Sequence, residues 1–133
     1  MIKVENLKKV FGDKTAIDIL ELNIEKGSIV GLVGNNGAGK TTFFRLILDL
    51  LKAECGCVLS NGQNVAKSEE WKTYTGAFID SRFLIEFLTP EEYFYFVGET
   101  YGYSKQQVDE ALTPFARFMN NEILNQNNNS DNQ

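Results

Sequence analysis

The chain has 133 residues, 43% of them apolar, which is enough to bury one core and too few for two ordinary domains. Its 18 acidic and 13 basic residues leave a net charge of −5, which argues against a general polyanion-binding surface and so against nucleic acid as a partner. The N-terminus lacks the apolar stretch of a signal peptide, and no uncharged run approaches the ~20 residues needed to cross a bilayer, so the chain reads as cytoplasmic.

Residues 2–7 alternate apolar and polar side chains like a half-buried strand, and residues 15–24 follow as a second strand after the turn residues Gly12-Asp13. Together they predict a hairpin or meander. Residues 28–33 form a nearly continuous apolar run that ends in a glycine-rich loop, predicting a central strand buried on both faces. Over 40–51 the apolar residues Phe43, Phe44, Leu46, Ile47, Leu48, Leu50 and Leu51 cover most of a helix surface, so this helix is expected to be largely buried beside the sheet. A strand over 56–59 is expected to end in the turn Asn61-Gly62, and 74–79 is another apolar run of strand length. This order predicts a mixed α/β sheet.

Cys55 and Cys57 are separated by one residue, which matches neither a CxxC redox pair nor a zinc site, and the chain has no histidine. They read as two reduced structural thiols.

Beyond Asp80 the pattern is helical. Thr89-Pro90-Glu91-Glu92 combines a capping threonine, a proline at the first helical position and a glutamate at the third, predicting a helix to about Tyr101. Ser104-Lys-Gln-Gln107 repeats the capping box, with Val108, Leu112 and Phe115 continuing at helical spacing until Pro114 bends or divides the segment. The aromatic cluster Phe94-Tyr95-Phe96 reads as helix core, with contact to a membrane-embedded partner as the other reading. Nine of the last 14 residues are Asn or Gln, too polar to pack, so 120–133 reads as a disordered tail.

The chemistry lies in Gly34-Asn35-Asn36-Gly37-Ala38-Gly39-Lys40-Thr41, which satisfies the P-loop pattern G-x-x-x-x-G-K-[ST] between a predicted strand and a predicted helix. Small residues let the backbone turn its N–H groups toward phosphate oxygens, and the helix N-terminus adds partial positive charge there. Lys40 is the candidate for the β- and γ-phosphates. The Thr41 hydroxyl is the candidate ligand of the Mg²⁺ that bridges them, with ATP the expected nucleotide.

From Met1 to about Phe118 the sequence resembles the N-terminal half of the nucleotide-binding subunit of an ABC transporter. The resemblance is carried by Leu7-Lys-Lys-Val-Phe-Gly, which is similar to the opening strand and aromatic loop, by residues 24–42 across the Walker A region, and by Leu88-Thr-Pro-Glu-Glu at the opening of the helical subdomain. It implies a P-loop NTPase core of ABC type over 1–80, a mixed sheet with N-terminal antiparallel strands, and the beginning of an α-helical subdomain over 81–119. It also implies that Phe11 stacks on adenine and that Asn35, Asn36, Gly37, Ala38, Gly39, Lys40, Thr41 and Thr42 wrap the triphosphate. From the residues alone, Phe11 reads equally as a core aromatic at a strand end. Implied partners are a membrane permease and a second ATP-binding subunit, identical or different. The short acidic helical region resembles that of export-type subunits.

Two departures from the family matter. Aligning residues 75–80 on the region where the family places a glutamine puts Asp80 at that position; a carboxylate still binds magnesium through oxygen but lacks the amide donor, and a solvated loop aspartate is the other reading. Nothing after Asp80 supplies the signature helix motif, the Walker B strand with its catalytic glutamate or the switch histidine, so no catalytic residue is assigned. Leu59-Ser-Asn-Gly-Gln63 imitates the signature loop but ends a strand instead of opening a helix, and 77–80 imitates Walker B with Ser81 where the second acid belongs. The expectation is a truncated half-subunit with exposed strand edges and apolar surface, which binds ATP without hydrolysing it alone. The alternatives are a small self-contained P-loop kinase or GTPase and a non-catalytic truncated interaction module. Against the former, the chain has only Arg45, Arg82 and Arg117 to clamp a phosphate and lacks an Asn-Lys-x-Asp guanine reader.

Overall fold

Alternating side chains and a two-residue turn at Gly12-Asp13 produce an antiparallel hairpin of β1 (Ile2–Phe11) and β2 (Lys14–Ile24). The computed structural model describes residues 1–80 and 87–116. The chain divides into two compact units, Met1–Ile79 and Asp80–Gln133.

In the first unit β1 also pairs antiparallel with β3 (Cys55–Ser60), which turns at Asn61-Gly62 into the short β4 (Gln63–Asn64). The sheet order is β2-β1-β3-β4, and all its described pairings are antiparallel. Simple alternation would put Asn6 beside Val4 on the buried face. The pairing with β3 shifts between Glu5 and Lys8, with Asn6 at φ 47°, and this irregularity turns Leu7 inward instead. Among the described residues, Val4 and Leu7 are consequently the two most deeply buried side chains.

Helix α1 (Lys40–Ile47) lays Phe43 and Leu46 on this face with Ile17, Val58, Val65 and Trp71. The Trp71 indole N–H donates to the Val65 carbonyl at 3.0 Å, so burial of the ring leaves no orphaned donor. The helix is shorter than the expected 40–51 and buries one face, leaving Phe44 and Leu50 exposed. Backbone bonds Leu48 N–H to Phe44 and Leu50 N–H to Arg45 close its end, where Asp49 has φ 55°.

Two predicted strands are not formed. Residues 28–33 carry no regular structure, with Ile29 101% and Val33 94% exposed, so the expected buried central strand is corrected to an exposed apolar segment. Residues 74–79 instead complete a 3₁₀ helix (Glu70–Tyr74) and continue irregularly, with Phe78 73% exposed. The reason is common to both. A strand is defined by the neighbours that accept its N–H groups, and among the described residues no strand pairs with either segment.

In the second unit, α2 (Pro90–Thr100) and α3 (Lys105–Leu112) begin with the expected capping boxes. The Thr89 and Ser104 hydroxyls accept the N–H groups of Glu92 and Gln107, and those side chains reach back to the capping N–H groups. Pro114 falls in a 3₁₀ turn (Thr113–Phe115) that follows α3. Gly98 allows close approach of the helices, because a Cβ there would overlap the Val108 Cγ2. The Tyr95 hydroxyl lies 2.9 Å from Glu91 Oε1 and 2.5 Å from Asp109 Oδ1. Phe94 and Phe96 are exposed, which corrects their reading as helix core. The predicted tail at 120–133 and the Ser81 position lie outside the described residues.

Candidate functional site: a loop and helix start facing a hairpin end

The expected phosphate loop leads directly into α1, whose N-cap is Gly39. Gly39 has φ 96°, and a Cβ on it would stand 2.5 Å from the Ala16 carbonyl oxygen. Both conformation and space therefore require glycine. The partner carbonyl is supplied by an irregularity in the hairpin, where Lys9 pairs with Ile17 and Val10 with Thr15, leaving Ala16 without a β1 partner. This bulge seats the loop against β2.

Within the loop the Ala38 N–H donates to the Asn35 carbonyl at 3.0 Å. The Lys40 ammonium folds over the same segment, donating to the Gly34 carbonyl and, at 3.1 Å, to that of Asn35. The first intrahelical bond runs from Phe43 N–H to the Gly39 carbonyl at 2.8 Å, so the N–H groups of Lys40, Thr41 and Thr42 are first-turn donors without an acceptor one turn back. They add to the positive end of the helix.

A cavity of about 300 Å³ opens at this point. Of the residues singled out in the sequence, Phe11, Asn36, Gly37, Gly39, Lys40, Thr41 and Thr42 line it, whereas Asn35 and Ala38 belong to the loop without lining it. Asp80, half-buried, is the first residue of the second unit. Sequence reasoning missed Lys14 and Ala16, which complete the lining. The signal for Lys14 was the two-residue turn, because such a turn places it directly opposite Phe11, as observed. Ala16 carries no such signal, since a bulge depends on where the loop docks.

Phe11 is partly exposed at the hairpin end. The Lys9 ammonium lies 5.1 Å from its ring centre and 3.4 Å from Glu54 Oε1. Glu54 also accepts the Val10 N–H at 2.8 Å, and that bond, followed by its own backbone N–H and then by Lys9, holds its carboxyl below the usual carboxylate range. The cavity lining holds two ammonium groups, two threonine hydroxyls and the helix N–H groups, and it contains no carboxylate. This donor set suits a polyanion that carries an aromatic group, which is a nucleotide in chemical class.

The sequence that imitates the signature loop, 59–63, forms the β3–β4 turn and opens no helix. Among the described residues no group of three or more His, Cys, Asp or Glu could hold a metal, and no helix is long and apolar enough to cross a membrane. Cys55 and Cys57 are free thiols.

Comparison with known proteins agrees with this architecture. The family model described as ABC transporter matches residues 17–131. An uncharacterized ABC transporter ATP-binding protein of Methanocaldococcus jannaschii is 35% identical over 111 residues, covering 84% of this chain and 38% of that protein. The bacitracin transport ATP-binding protein of Bacillus licheniformis is 32% identical over 114 residues, covering 84% of this chain and 37% of that protein. Among solved structures, an ATP-binding subunit of an ABC transporter superposes with a TM-score of 0.73 at 28% identity, over 87% of this chain and 49% of that one. A dimeric ATP-binding cassette bound to ADP and phosphate superposes with a TM-score of 0.62 at 25% identity, over 85% of this chain and 56% of that one. The chain thus spans under two fifths of these curated relatives and about half of these solved chains. Its fold is that of the P-loop NTPase cassettes, and the chain belongs to the ABC transporter family.

Proposed function

We propose that this chain supplies the ATP-binding face of an ABC-type transporter ATPase. The observation that carries the reading is the one cavity in which Phe11, Lys40 and Thr41 meet beside a loop that requires glycine at Gly39. In this reading the Phe11 ring holds adenine, residues Asn35 to Thr42 hold the phosphates, and Lys40 turns from the loop carbonyls toward the β- and γ-phosphates. Bound ATP would supply the phosphoanhydride that the complete protein cleaves, and the Thr41 hydroxyl would hold a Mg²⁺ that offsets the charge of the phosphates.

Residues 1–80 are a P-loop core, 81–119 the start of a helical subdomain, and the chain is a half-subunit whose complete form pairs with a second ATP-binding subunit. It would couple ATP binding and hydrolysis to a membrane permease from the cytoplasmic side. The exposed segment 28–33 is consistent with strand partners contributed by the remainder of a longer protein. No residue of this chain is assigned as general base, so hydrolysis by the chain alone is expected to stay near background.

The test is calorimetric titration of ATP with Mg²⁺ into the chain and into Lys40→Ala, with GTP as competitor and phosphate release followed in the same samples. ATP binding that Lys40→Ala removes, without phosphate release, supports the reading. Absence of binding by the folded chain overturns it, and turnover abolished by Lys40→Ala would identify a self-contained enzyme.

A further inference from the structure

We infer that Lys14 is a second cation of the nucleotide site, holding the phosphate nearest the ribose while Lys40 serves the distal ones; this rests on the reading of the cavity as a nucleotide pocket. Lys14 is directly opposite Phe11 in the β1–β2 register, so both side chains leave the same face of the hairpin end. Its Nζ reaches across to the phosphate loop, where it donates to the Gly37 carbonyl at 3.3 Å. It lines the same cavity as Lys40, Thr41 and Thr42, and it is exposed. Among the described residues it forms no ion pair, so its charge is not committed to a carboxylate.

The arrangement is ordered from Phe11 through Lys14 to the start of α1. A nucleotide with its base at Phe11 and its terminal phosphates at the first turn of the helix must bring its proximal phosphate past the hairpin. A Lys14 side chain that already spans from hairpin to loop needs only exchange the Gly37 carbonyl for a phosphate oxygen. An ammonium prefers the charged acceptor, because a hydrogen bond between two ionised groups is roughly twice as strong as a neutral one.

Lys14 and Lys40 then differ in which nucleotides each one affects. Contact with the proximal phosphate is common to ATP, ADP and AMP. Lys14→Gln should therefore weaken ATP and ADP by the same factor, about tenfold each, and flatten the salt dependence of both, because one cationic contact is lost. Lys14→Arg, which keeps the charge and the reach, should stay within about threefold of wild type.

Binding of ATP, ADP and AMP to the 133-residue chain is measured by calorimetry at two salt concentrations for wild type, Lys14→Gln, Lys14→Met, Lys14→Arg and Lys40→Ala. A melt of each variant establishes folding, and Lys14→Met decides if the glutamine variant does not fold. Equal losses for ATP, ADP and AMP with rescue by arginine support the inference, and a loss that spares AMP overturns it. Wild-type affinity in Lys14→Gln overturns it, as does a loss confined to ATP, which would move the contact to the terminal phosphate. No binding by wild type sinks the nucleotide reading and this inference together. Binding that Lys40→Ala abolishes and Lys14→Gln leaves intact sinks this inference alone.

Discussion

The ammonium of Lys9 lies over the ring of Phe11, 5.1 Å from its centre. The same ammonium meets the Glu54 carboxylate at 3.4 Å, and Glu54 also accepts the Val10 N–H at 2.8 Å. One carboxylate therefore holds both the backbone and the cation next to the aromatic of the site. Glu54→Gln should weaken ATP binding by about two- to fivefold, without contact to the ligand, by loosening Phe11. Calorimetry on this variant and on Phe11→Ala tests it, and full affinity in Glu54→Gln would remove the positioning role.

Glu54 also carries a pH dependence. Its folded-state pKa is lowered, first by the Val10 N–H. Its contribution to stability is thus fully present above the unfolded value of about 4.3 and is lost as pH falls through the folded value. Thermal melts from pH 7 to 3 should show the difference between wild type and Glu54→Gln narrowing below about pH 4.3. A constant difference across that range would contradict the assignment.

Gly39→Ala forces a Cβ to 2.5 Å from the Ala16 carbonyl at φ 96°. Strain of this kind costs about 1–3 kcal/mol and is relieved only by moving the loop from β2. The expected outcome is loss of ATP binding with a modest fall in melting temperature. Retained binding would show that the loop does not need its seat on the bulge.

Gly98→Ala gives opposite signs in two backgrounds. Alanine is intrinsically better than glycine in a helix by about 1 kcal/mol, but here its Cβ would overlap the Val108 Cγ2. The substitution should destabilise wild type by about 1–2 kcal/mol and stabilise Val108→Ala by up to about 1 kcal/mol. Denaturant unfolding of the four proteins measures the cycle, and additivity would exclude the contact.

Leu46 is 3% exposed and packs in the cluster that contains Trp71, the one tryptophan of the chain. Leu46→Ala should cost about 3 kcal/mol. Trp71 fluorescence during urea unfolding reports it directly, and a change under about 1 kcal/mol would mean that the cluster repacks around the gap.

What could be read in the sequence was mostly what neighbouring residues settle among themselves. The caps at Thr89 and Ser104, the turns at Gly12-Asp13 and Asn61-Gly62, the start of α1 at Lys40 and the loop before it depend on side chains within a few positions of the backbone groups they satisfy. The family resemblance rested on the same local motifs. Phe11 was less legible, because an aromatic at a strand end packs inward or lines a site according to what lies opposite.

Contacts far apart in sequence decided the rest. Leu7 replaced Asn6 on the buried face because β1 slips against β3, and Ala16 became part of the site because it bulges where Gly39 docks. The apolar runs at 28–33 and 74–79 looked like strands and are not, although their composition suits one. By itself the sequence determined where the chain turns, where its helices are capped and where its glycine-rich loop leads into α1. Only the tertiary structure decided which extended segments became strands, because a strand is completed by hydrogen bonds to a neighbour that its own residues cannot supply.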